Sequence, residues 1–216
     1  MIRLVIGNKN YSSWSLRGWL AVKLSGLPFE EELLPLDTPA FKNRIGALSP
    51  SKLVPVLHDG DVIIWDSLAM VEYLNERVPG AGFWPEDRAA RAFARSIAAE
   101  MHSGFGPMRD ALPMNIRKHF PGHPVTPAVQ ANINRIQDIW TDCLERSKGT
   151  EGGFLFGSFG AADIMFAPVV HRFKTYDVTL RPAATAYIDA MLAQPFMAEW
   201  ADAGRAETWI VEADEV

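Results

Sequence analysis

The sequence predicts an α/β segment followed by an all-helical segment. The first eighty residues mix short β-rich runs with helical periodicity, whereas strand signals nearly vanish beyond residue 85. A stretch rich in Gly and Pro, residues 79–85, separates the two parts, and such stretches commonly join domains. We therefore expect one domain over residues 1–80 and a second over residues 86–216.

Strands and helices alternate in the first part. A β-rich run opens the chain, and an amphipathic helix follows it from a cap at Ser15 to a stop at Gly26. Three consecutive glutamates place the second strand at a sheet edge, and a stretch bearing proline and glycine leads to two runs that flank the hairpin dipeptide Asp59-Gly60. The predicted strands cover residues 2–7, 28–35, 53–58 and 61–65, and the predicted helices cover residues 15–26 and 66–78.

Only helices are predicted in the second part. An Ala-rich helix begins near Pro85 and runs through Met101, and the glycines and proline at 104–107 would bend or end it. Further helices are predicted over residues 127–147, 161–176 and 183–202, with a Gly-rich interhelix loop at 149–160. Cys143, within the helix predicted over residues 127–147, is expected to be a buried apolar residue.

Composition excludes several classes of protein. The 216 residues are 48% apolar and 22% charged, which is typical of a globular protein rather than a disordered or fibrous one. A net charge of −5 gives no basic footprint, so we expect no nucleic-acid partner. No apolar stretch reaches about 18 residues, so we expect no membrane span. A single cysteine and the absence of a signal-peptide pattern lead us to expect a cytoplasmic protein.

Several familiar site motifs are incomplete. The Gly152 to Gly157 spacing resembles a phosphate loop, but Ser158-Phe159 stands where Lys-Ser/Thr is required. His119 and His123 are four residues apart, but Pro121-Gly122 breaks the helix that would place both on one face. We therefore expect no metal site.

Polar groups gather at two predicted helix starts. Ser12, Ser13 and Ser15 precede or begin the first helix, whose unpaired N–H groups and positive dipole end suit an anion. At the next helix, Ser67 and the first N–H groups can bind a carboxylate, and Asp66 can bind an ammonium group. Each group taken alone also fits an ordinary helix cap.

Val54-Pro55 stands at the entrance to the third strand, where proline can begin a strand but not continue it. Such a proline can be cis, and a cis bond would turn the Val54 backbone outward to pair with an extended peptide ligand. The alternative is an ordinary proline at the start of a strand.

Four motifs occur in order along the chain. They are Ser12 to Arg17, Ser49 to Leu57, Asp66 to Leu74, and Ala162-Asp163. Together they resemble the motifs of the glutathione transferase family over the whole chain, and the first is similar to the Ser-Ser-Cys-Ser-x-Arg signature of serine-type zeta-class members. Two segments of the second part, Glu100 to Phe105 and Leu112 to Asn115, are also similar to bacterial members of this group.

This resemblance implies a thioredoxin-like N-terminal domain that binds glutathione, an all-helical C-terminal domain, and a homodimer. The implied activity is conjugation of the glutathione thiolate to small hydrophobic electrophiles, as in detoxification, without a metal. Glutathione-dependent isomerisation of the maleylacetoacetate type, dehalogenation and disulfide reduction are alternatives. An alternative of another class is a non-catalytic binding or interaction protein with the same fold.

The resemblance also implies which hydroxyl acts on the glutathione sulfur. Ser12 would donate a hydrogen bond to it, with Ser13 beside it, and Tyr11 is an alternative partner. Trp14 stands in place of the zeta-class cysteine and Tyr11 in place of an arginine, which weighs against isomerisation of maleylacetoacetate.

Glutathione itself would be held by the second and third motifs. Val54, with Pro55, would pair through its backbone with the cysteinyl part, while Asp66 and Ser67 would hold the γ-glutamyl end. Because Leu53 occupies the position that often carries Lys or Gln for the glycine carboxylate, three nearby basic residues are the candidates for that role: Lys52, Lys42 and Arg44.

The electrophile is expected to bind between the domains. Three apolar residues are predicted to share one helix face there, and two polar neighbours could contact a polar substrate. These residues are Met101, Phe105, Met108, His102 and Arg109. The alternatives are that the apolar stripe is core and that His102 is structural.

Overall fold

A mixed four-stranded sheet organises the N-terminal half. The computed structural model describes residues 1–148 and 152–216. The strands are β1 (Ile2–Ile6), β2 (Phe29–Leu33), β3 (Val56–Asp59) and β4 (Val62–Trp65). Their order is β2-β1-β3-β4, with β1 parallel to β2 and antiparallel to β3, and β3 antiparallel to β4. The predicted edge strand and the hairpin around Asp59-Gly60 are both confirmed.

Three helices complete this half: α1 (Ser13–Ser25), α2 (Pro39–Leu48) and α3 (Ser67–Arg77). The sequence interpretation assigned no element to α2. Thr38 begins it by accepting a hydrogen bond from the N–H of Phe41 at 3.1 Å, and Pro39 occupies the first turn, where its missing N–H leaves no donor unpaired. With α2 included, the elements run βαβα followed by ββα, which is the thioredoxin-like arrangement.

Helix α1 begins two residues earlier than the predicted cap. Ser12 is the N-cap, and its Oγ accepts from the N–H of Ser15 at 3.3 Å. Ser15 Oγ is buried and accepts a hydrogen bond from the N–H of Gly7 at 2.9 Å, so it ties the helix to the end of β1 instead of capping it. The predicted stop at Gly26 is confirmed, because this residue adopts φ 69°, which glycine tolerates.

Within residues 86–148 and 152–216, the C-terminal half contains helices only, as predicted, apart from isolated bridges in the loop at 154–158. They are α4 (Arg88–Ser103), α5 (Gly106–Ala111), α6 (Pro127–Arg146), α7 (Ala161–Thr175), α8 (Pro182–Ala193) and α9 (Pro195–Ala206). Part of the predicted Gly-rich loop, residues 149–151, lies outside the described residues. Cys143 is buried, as predicted, and burial raises the pKa of its thiol to about 12. No described helix is long and apolar enough to cross a membrane.

Two predictions for this half are wrong. The helix predicted over residues 183–202 is broken into α8 and α9, because Gln194 precedes Pro195 and adopts an extended ψ of 128°. Met101, Phe105 and Met108 do not share one helix face. Helix α4 ends at Ser103, and Phe105 adopts φ 63° between α4 and α5, so the set is divided over two helices.

Helix α7 is the buried axis of the C-terminal half, since every residue in it except Lys174 is buried. Asp163 holds its first turn: one carboxylate oxygen accepts from the N–H of Gly160, and the other accepts from the N–H of Leu155 and the hydroxyl of Tyr187, all at 3.0–3.1 Å. Gly160 is the N-cap of α7. Burial raises the pKa of Asp163 to about 6 although these hydrogen bonds oppose the shift.

The two halves meet through α1, which contacts α7 and α9. Arg17 Nε donates to the carbonyl of Met165 in α7 at 2.9 Å. Behind α1, the carboxylate of Glu207 accepts from the N–H groups of Lys9 and Asn10 at 2.7 and 3.1 Å, so the C-terminal segment holds the loop that leads into α1. The division into residues 1–80 and 86–216 stays a prediction.

We expect Asp163→Ala to lower the free energy of unfolding by about 2–4 kcal/mol, because it leaves two backbone N–H groups and a buried hydroxyl without an acceptor. Asp87→Ala is the matched control. Asp87 caps α4 with a single exposed hydrogen bond, from the N–H of Ala90 at 2.8 Å, and its loss should cost about 1 kcal/mol. Urea unfolding of both variants measures the difference, and equal losses would contradict this role for Asp163.

The Asp163→Ala variant also tests the pKa of Asp163. Its pKa is about 6 in the folded protein against an ordinary 3.8, so the folded state binds this proton more tightly than the unfolded state does. The stabilisation is therefore present at low pH and is lost as the pH rises through 6. The destabilisation caused by Asp163→Ala should be about 1 kcal/mol larger at pH 5 than at pH 7.5.

Candidate functional site

A pocket of about 330 Å³ opens where α1, β4, α3 and the segment before β3 meet. It brings together four residues that the sequence interpretation assigned to ligand binding: Val54, Pro55, Asp66 and Ser67. The remaining lining residues are Trp14, Ser51, Leu53 and Trp65. Motifs separated in sequence thus converge on one cavity of the size that small-molecule sites have.

Two polar groups in this pocket lack partners within the described chain. Ser67 is 1% exposed, and its Oγ has no hydrogen-bond partner there. Neither the N–H nor the C=O of Val54 takes part in a hydrogen bond between described residues. Val54-Pro55 is a cis peptide bond, as the sequence suggested. Since buried polar groups are nearly always paired, the Ser67 hydroxyl marks a place where a polar ligand would complete the structure, and the half-buried Val54 backbone can pair with the same ligand.

Asp66 connects the pocket to the C-terminal half. It adopts φ 73° and caps α3 by accepting from the N–H of Leu68 at 2.8 Å. Its second carboxylate oxygen lies 3.0 Å from Nε2 of His102 in α4. The His102 ring packs edge-on against Trp14, with 5.3 Å between centroids. His102, which was expected to contact substrate, thus lies at the edge of the pocket.

The N-terminus of α1 carries a chain of hydroxyl groups next to Trp14. Ser12 Oγ donates to Ser15 Oγ at 2.8 Å, and Ser15 Oγ also accepts from the N–H of Gly7. Ser13 Oγ accepts from Nη2 of Arg172 at 2.9 Å. Ser12 and Ser13 are buried, each 8% exposed, and neither lines the pocket that Trp14 lines.

Tyr11 points away from this chain of hydroxyls. Its hydroxyl donates to Glu215 at 2.5 Å and accepts from Nη2 of Arg117 at 2.6 Å, and the residue is 3% exposed. Burial, followed by the hydrogen bond to Glu215, raises the pKa of Tyr11. The Tyr11 proton is therefore held by Glu215 in the C-terminal segment, and the Tyr11 oxygen is held by Arg117 in the helical half.

Three arginine side chains gather around Trp14 and Ser13. The guanidinium carbons of Arg17 and Arg109 lie 4.6 and 5.0 Å from the Trp14 ring centroid, and Arg172 reaches Ser13. Arg172 also donates to the carbonyl of Leu112 at 2.7 Å. The arginines act on one another: burial lowers the pKa of each, and the charge of Arg109 lowers the pKa of Arg17 and Arg172 further.

Arg17 is the least compensated of the three. It has no exposed surface, and while its Nε is paired with Met165, Nη1 and Nη2 have no partner within the described residues. Burial is the main reason that its pKa is well below the ordinary value. A buried cation with free donors makes this part of the cleft electrostatically suited to a negative charge.

The basic residues proposed for a glycine carboxylate are distributed unevenly. Lys52 is exposed between Ser51 and Leu53, both of which line the pocket. Lys42 is exposed on α2 and does not line it. Arg44 forms an ion pair with Glu32, which occupies its guanidinium group. Lys52 is therefore the candidate nearest in sequence to the lining residues.

Met101 and Met108 have no exposed surface and pack in the core. Their contact with a substrate stays a prediction, as does that of Phe105. Among residues 1–148 and 152–216, no group of three or more His, Cys, Asp or Glu side chains could hold a metal ion. Sequence interpretation missed Arg172 and undervalued Trp14; a lone arginine late in a helix gives no signal of the serine that it contacts 159 residues away.

Known proteins with related names match this chain over most of its length. A glutathione S-transferase from Arabidopsis thaliana, named L1, is 27% identical over 187 residues, which cover 81% of this chain and 72% of that protein. Maleylacetoacetate isomerase from Rattus norvegicus is 27% identical over 183 residues, which cover 80% and 78%. A glutathione transferase homologue from Burkholderia, solved with bound glutathione, superposes with a TM-score of 0.71 at 23% identity and covers 94% of this chain and 97% of that one.

Family comparison accounts for both halves of the fold. Residues 11–77 match the glutathione S-transferase N-terminal domain, and residues 123–203 match the glutathione S-transferase C-terminal domain. These two ranges contain the four-stranded sheet's later strands, α1, and the buried helix α7. The chain belongs to the glutathione S-transferase family.

Proposed function

We propose that the protein is a glutathione-dependent enzyme and that glutathione binds in the Trp14 pocket. The observation that carries the proposal is the pair of unsatisfied polar groups there, Ser67 Oγ and the Val54 backbone. A tripeptide supplies the partners that both groups lack: a carboxylate for the hydroxyl and peptide groups for the backbone. The Burkholderia homologue solved with glutathione supports this choice of ligand.

The pocket residues fit the chemical groups of glutathione one by one. Ser67 and the first N–H groups of α3 suit the γ-glutamyl carboxylate, and the carboxylate of Asp66, which also contacts Leu68 and His102, suits its ammonium group. Val54 would pair with the cysteinyl peptide groups, next to the buried Pro55. Lys52 is the proposed partner of the glycine carboxylate.

Glutathione would supply the nucleophilic thiolate, and the chain would stabilise that thiolate at the N-terminus of α1. Free thiols have a pKa near 8.5, and a hydrogen-bond donor, a helix N-terminus and nearby arginines each lower it. Ser12 can provide the donor. Because Ser15 Oγ already accepts from Gly7, it can turn its own proton toward Ser12 Oγ and so release the Ser12 proton for the sulfur.

We expect Ser12→Ala to raise the pKa of enzyme-bound glutathione by about 1–2 units and to lower kcat at pH 6.5 at least tenfold, with a small change in KM for glutathione. The thiolate absorbance of the binary complex, titrated against pH, measures the shift. The reason is that the hydrogen bond exists only to the charged form of sulfur.

Tyr11→Phe and Ser13→Ala are the matched comparisons, since each removes one neighbouring hydroxyl. Tyr11→Phe should leave the thiol pKa unchanged, because the Tyr11 proton is held by Glu215. A shift in Ser13→Ala alone would move the donor role to Ser13, and a shift in Tyr11→Phe alone would move it to Tyr11. Failure of the wild-type protein to bind immobilised glutathione would overturn the glutathione-dependent function as a whole.

Conjugation of the thiolate to a small electrophile is the reaction that we propose, and the arginine cluster favours electrophiles that carry a carboxylate. Arg17 has no exposed surface, so its charge beside Trp14 would attract an acidic substrate through the electrostatic potential and not by direct contact. This is also the specific observation in favour of a second candidate, an isomerisation of the kind for which the similar rat protein is named, because that substrate is acidic.

Arg17→Met should separate acidic from neutral electrophiles. We expect kcat/KM for a chloronitrobenzoate to fall at least about tenfold and kcat/KM for its neutral methyl ester to change less than about threefold, since only the acid loses the attraction of the Arg17 charge. Arg88→Met, at an exposed position on α4, is the control. Equal losses for acid and ester would show that Arg17 acts on the thiolate or on packing instead of on the substrate charge.

We also propose that the protein is a homodimer formed through β4. This strand lies at the edge of the sheet, and three of its four side chains, Val62, Ile63 and Trp65, are exposed and apolar. Leu53, 65% exposed, extends the same kind of surface. An exposed apolar edge strand is unfavourable in water, and a second copy would cover it.

Ile63→Glu tests this interface. We expect the wild-type chain to sediment with twice the mass of a single chain and Ile63→Glu to sediment as a monomer, because the change places a charge in the apolar surface. Val125→Glu, which introduces the same charge at another exposed apolar position, should remain dimeric. Dissociation of both variants, or of neither, would contradict the assignment of β4 to the interface.

A further inference from the structure

The loop at residues 8–11 joins β1 to the N-cap of α1 and contains a tight turn. The carbonyl of Asn8 accepts hydrogen bonds from the N–H of Tyr11 at 3.3 Å and from the N–H of Ser12 at 2.8 Å. Ser12, the proposed donor to the glutathione sulfur, follows this turn directly. The position of its Oγ therefore depends on the position of the turn.

The turn is tied to the helical half of the chain by several hydrogen bonds. The side chain of Asn10 is paired at both ends: Oδ1 accepts from the N–H of Arg117 at 2.9 Å, and Nδ2 donates to Asn115 at 3.0 Å. The carbonyl of Lys9 accepts from Nε1 of Trp200 in α9 at 2.9 Å. These contacts leave the N–H groups of Lys9 and Asn10 as the donors still to be paired.

Glu207 pairs both of these donors with one carboxylate. Oε1 accepts from the N–H of Lys9 at 2.7 Å, and Oε2 accepts from the N–H of Asn10 at 3.1 Å. No backbone carbonyl of the described chain accepts from either N–H group. Hydrogen bonds to an ionised acceptor are stronger than neutral ones, so Glu207 holds two successive peptide groups of the turn firmly.

Helix α9 fixes the place from which Glu207 acts. Glu207 is the C-cap of α9, and its own carbonyl accepts a hydrogen bond from Arg117. Gly204, in the last turn of the helix, lies against the same loop. A Cβ at this position would lie 3.2 Å from both the nitrogen of Asn10 and the carbonyl carbon of Lys9. The loop is thus held between the end of α9 and the Glu207 carboxylate.

A carboxylate suits this position better than a neutral side chain of the same shape. Burial raises the pKa of Glu207, although its hydrogen bonds from the loop and the charges of Lys9 and Arg117 oppose the shift. A glutamine would avoid the cost of a half-buried charge, but it offers one acceptor oxygen, so one of the two N–H groups would face an amide NH₂. Only the carboxylate accepts from both.

We propose that Glu207 is a positioning residue for the thiol site, an inference that rests on the proposed function. Its carboxylate fixes the turn and thereby the distance at which Ser12 Oγ meets the glutathione sulfur. Glu207 does not line the Trp14 pocket, so it acts through Ser12 and not on the ligand. Accurate placement matters because a displacement of about 1 Å at a reacting group can lower a rate about 100-fold.

Glu207→Gln tests the proposal. We expect the pKa of bound glutathione to rise by about 0.5–1 unit and kcat at pH 6.5 to fall about three- to tenfold, with KM for glutathione within about twofold. Titration of the thiolate absorbance measures the shift. Loss of a negative charge would by itself lower the thiol pKa, so the direction of the shift separates positioning from electrostatics.

Glu212→Gln is the matched control, since it makes the same change at an exposed position of the same C-terminal segment. It should leave the thiol pKa and kcat unchanged. A contact that only stabilises the fold would lower the free energy of unfolding of Glu207→Gln and leave the thiol pKa where it is. An unchanged or lowered thiol pKa in Glu207→Gln would therefore overturn the proposal.

The double variant Ser12→Ala/Glu207→Gln shows whether Glu207 acts through Ser12. If it does, the thiol pKa of the double variant should equal that of Ser12→Ala alone, because the positioned hydroxyl is already absent. Two shifts that add would mean that Glu207 acts on the sulfur by another route and would also overturn the proposal.

Gly204→Ala displaces the same loop without a change of charge. Alanine favours the helix more than glycine does, so the variant is expected to fold, and its Cβ would push the backbone at Lys9 and Asn10. We expect the thiol pKa to rise, as in Glu207→Gln. If the pKa stays unchanged, the position of the loop does not control Ser12 and the proposal fails.

Amide hydrogen exchange in the absence of glutathione provides a readout that is independent of activity. The N–H groups of Lys9 and Asn10 should exchange slowly in the wild-type protein and in Glu212→Gln, and at least one of them should exchange faster in Glu207→Gln. If the wild-type protein does not bind glutathione, the proposed function fails together with this inference. If Ser12→Ala raises the thiol pKa and Glu207→Gln does not, the proposed function stands and only the role of Glu207 is rejected.

Discussion

The capped N-terminus of α7 is the constraint on which both halves of the molecule depend. Asp163 accepts three buried hydrogen bonds there and fixes the start of a helix that is buried along almost its whole length. The same helix then provides the carbonyl of Met165 to Arg17 and the guanidinium of Arg172 to Ser13. A carboxylate far in sequence from the candidate thiol site therefore sets the position of the groups that face it. Because a buried carboxylate is unfavourable when ionised, this arrangement is kept at some cost in stability.

At the interface between the halves the buried charges are positive, in contrast to the buried carboxylate of Asp163. Three arginines share a small volume around Trp14 and Ser13, where burial disfavours the charged form of each and the charge of Arg109 further disfavours those of Arg17 and Arg172. Replacement of such charges by apolar groups is often neutral or stabilising, so packing alone does not account for them. Their positive potential adds to that of the α1 N-terminus and acts on any anion in the cleft, whether a thiolate or an acidic substrate. The same three arginines thus lower the stability of the protein and provide the positive potential for the proposed chemistry.

Much of this arrangement could be predicted from local sequence, and the failures have specific causes. Strand periodicity, the Asp59-Gly60 turn and the Asp66-Ser67 helix start depend on neighbouring residues, and the structure has them as predicted. The cap of α1 was misplaced because Ser12 and Ser15 are equivalent in sequence, and only the contact with Gly7 in β1 distinguishes them. The break at Gln194-Pro195 was missed because apolar spacing continues across it. Arg172 and Trp14 were missed or undervalued because their contacts join residues more than 80 positions apart.

The choice between neighbouring hydroxyls as the thiol's partner depends on where each proton can go. Tyr11 donates to a carboxylate and accepts from a guanidinium, so its release would break two charge-assisted hydrogen bonds that tie the C-terminal segment to the core. Ser12 donates only to Ser15, whose oxygen is already held by the Gly7 N–H and whose own proton can replace the one that Ser12 gives up. Exchange within this pair keeps every oxygen hydrogen-bonded. Of these two hydroxyls, that of Ser12 can therefore turn to a ligand at the lower cost, whereas that of Tyr11 is held by its contacts with Glu215 and Arg117.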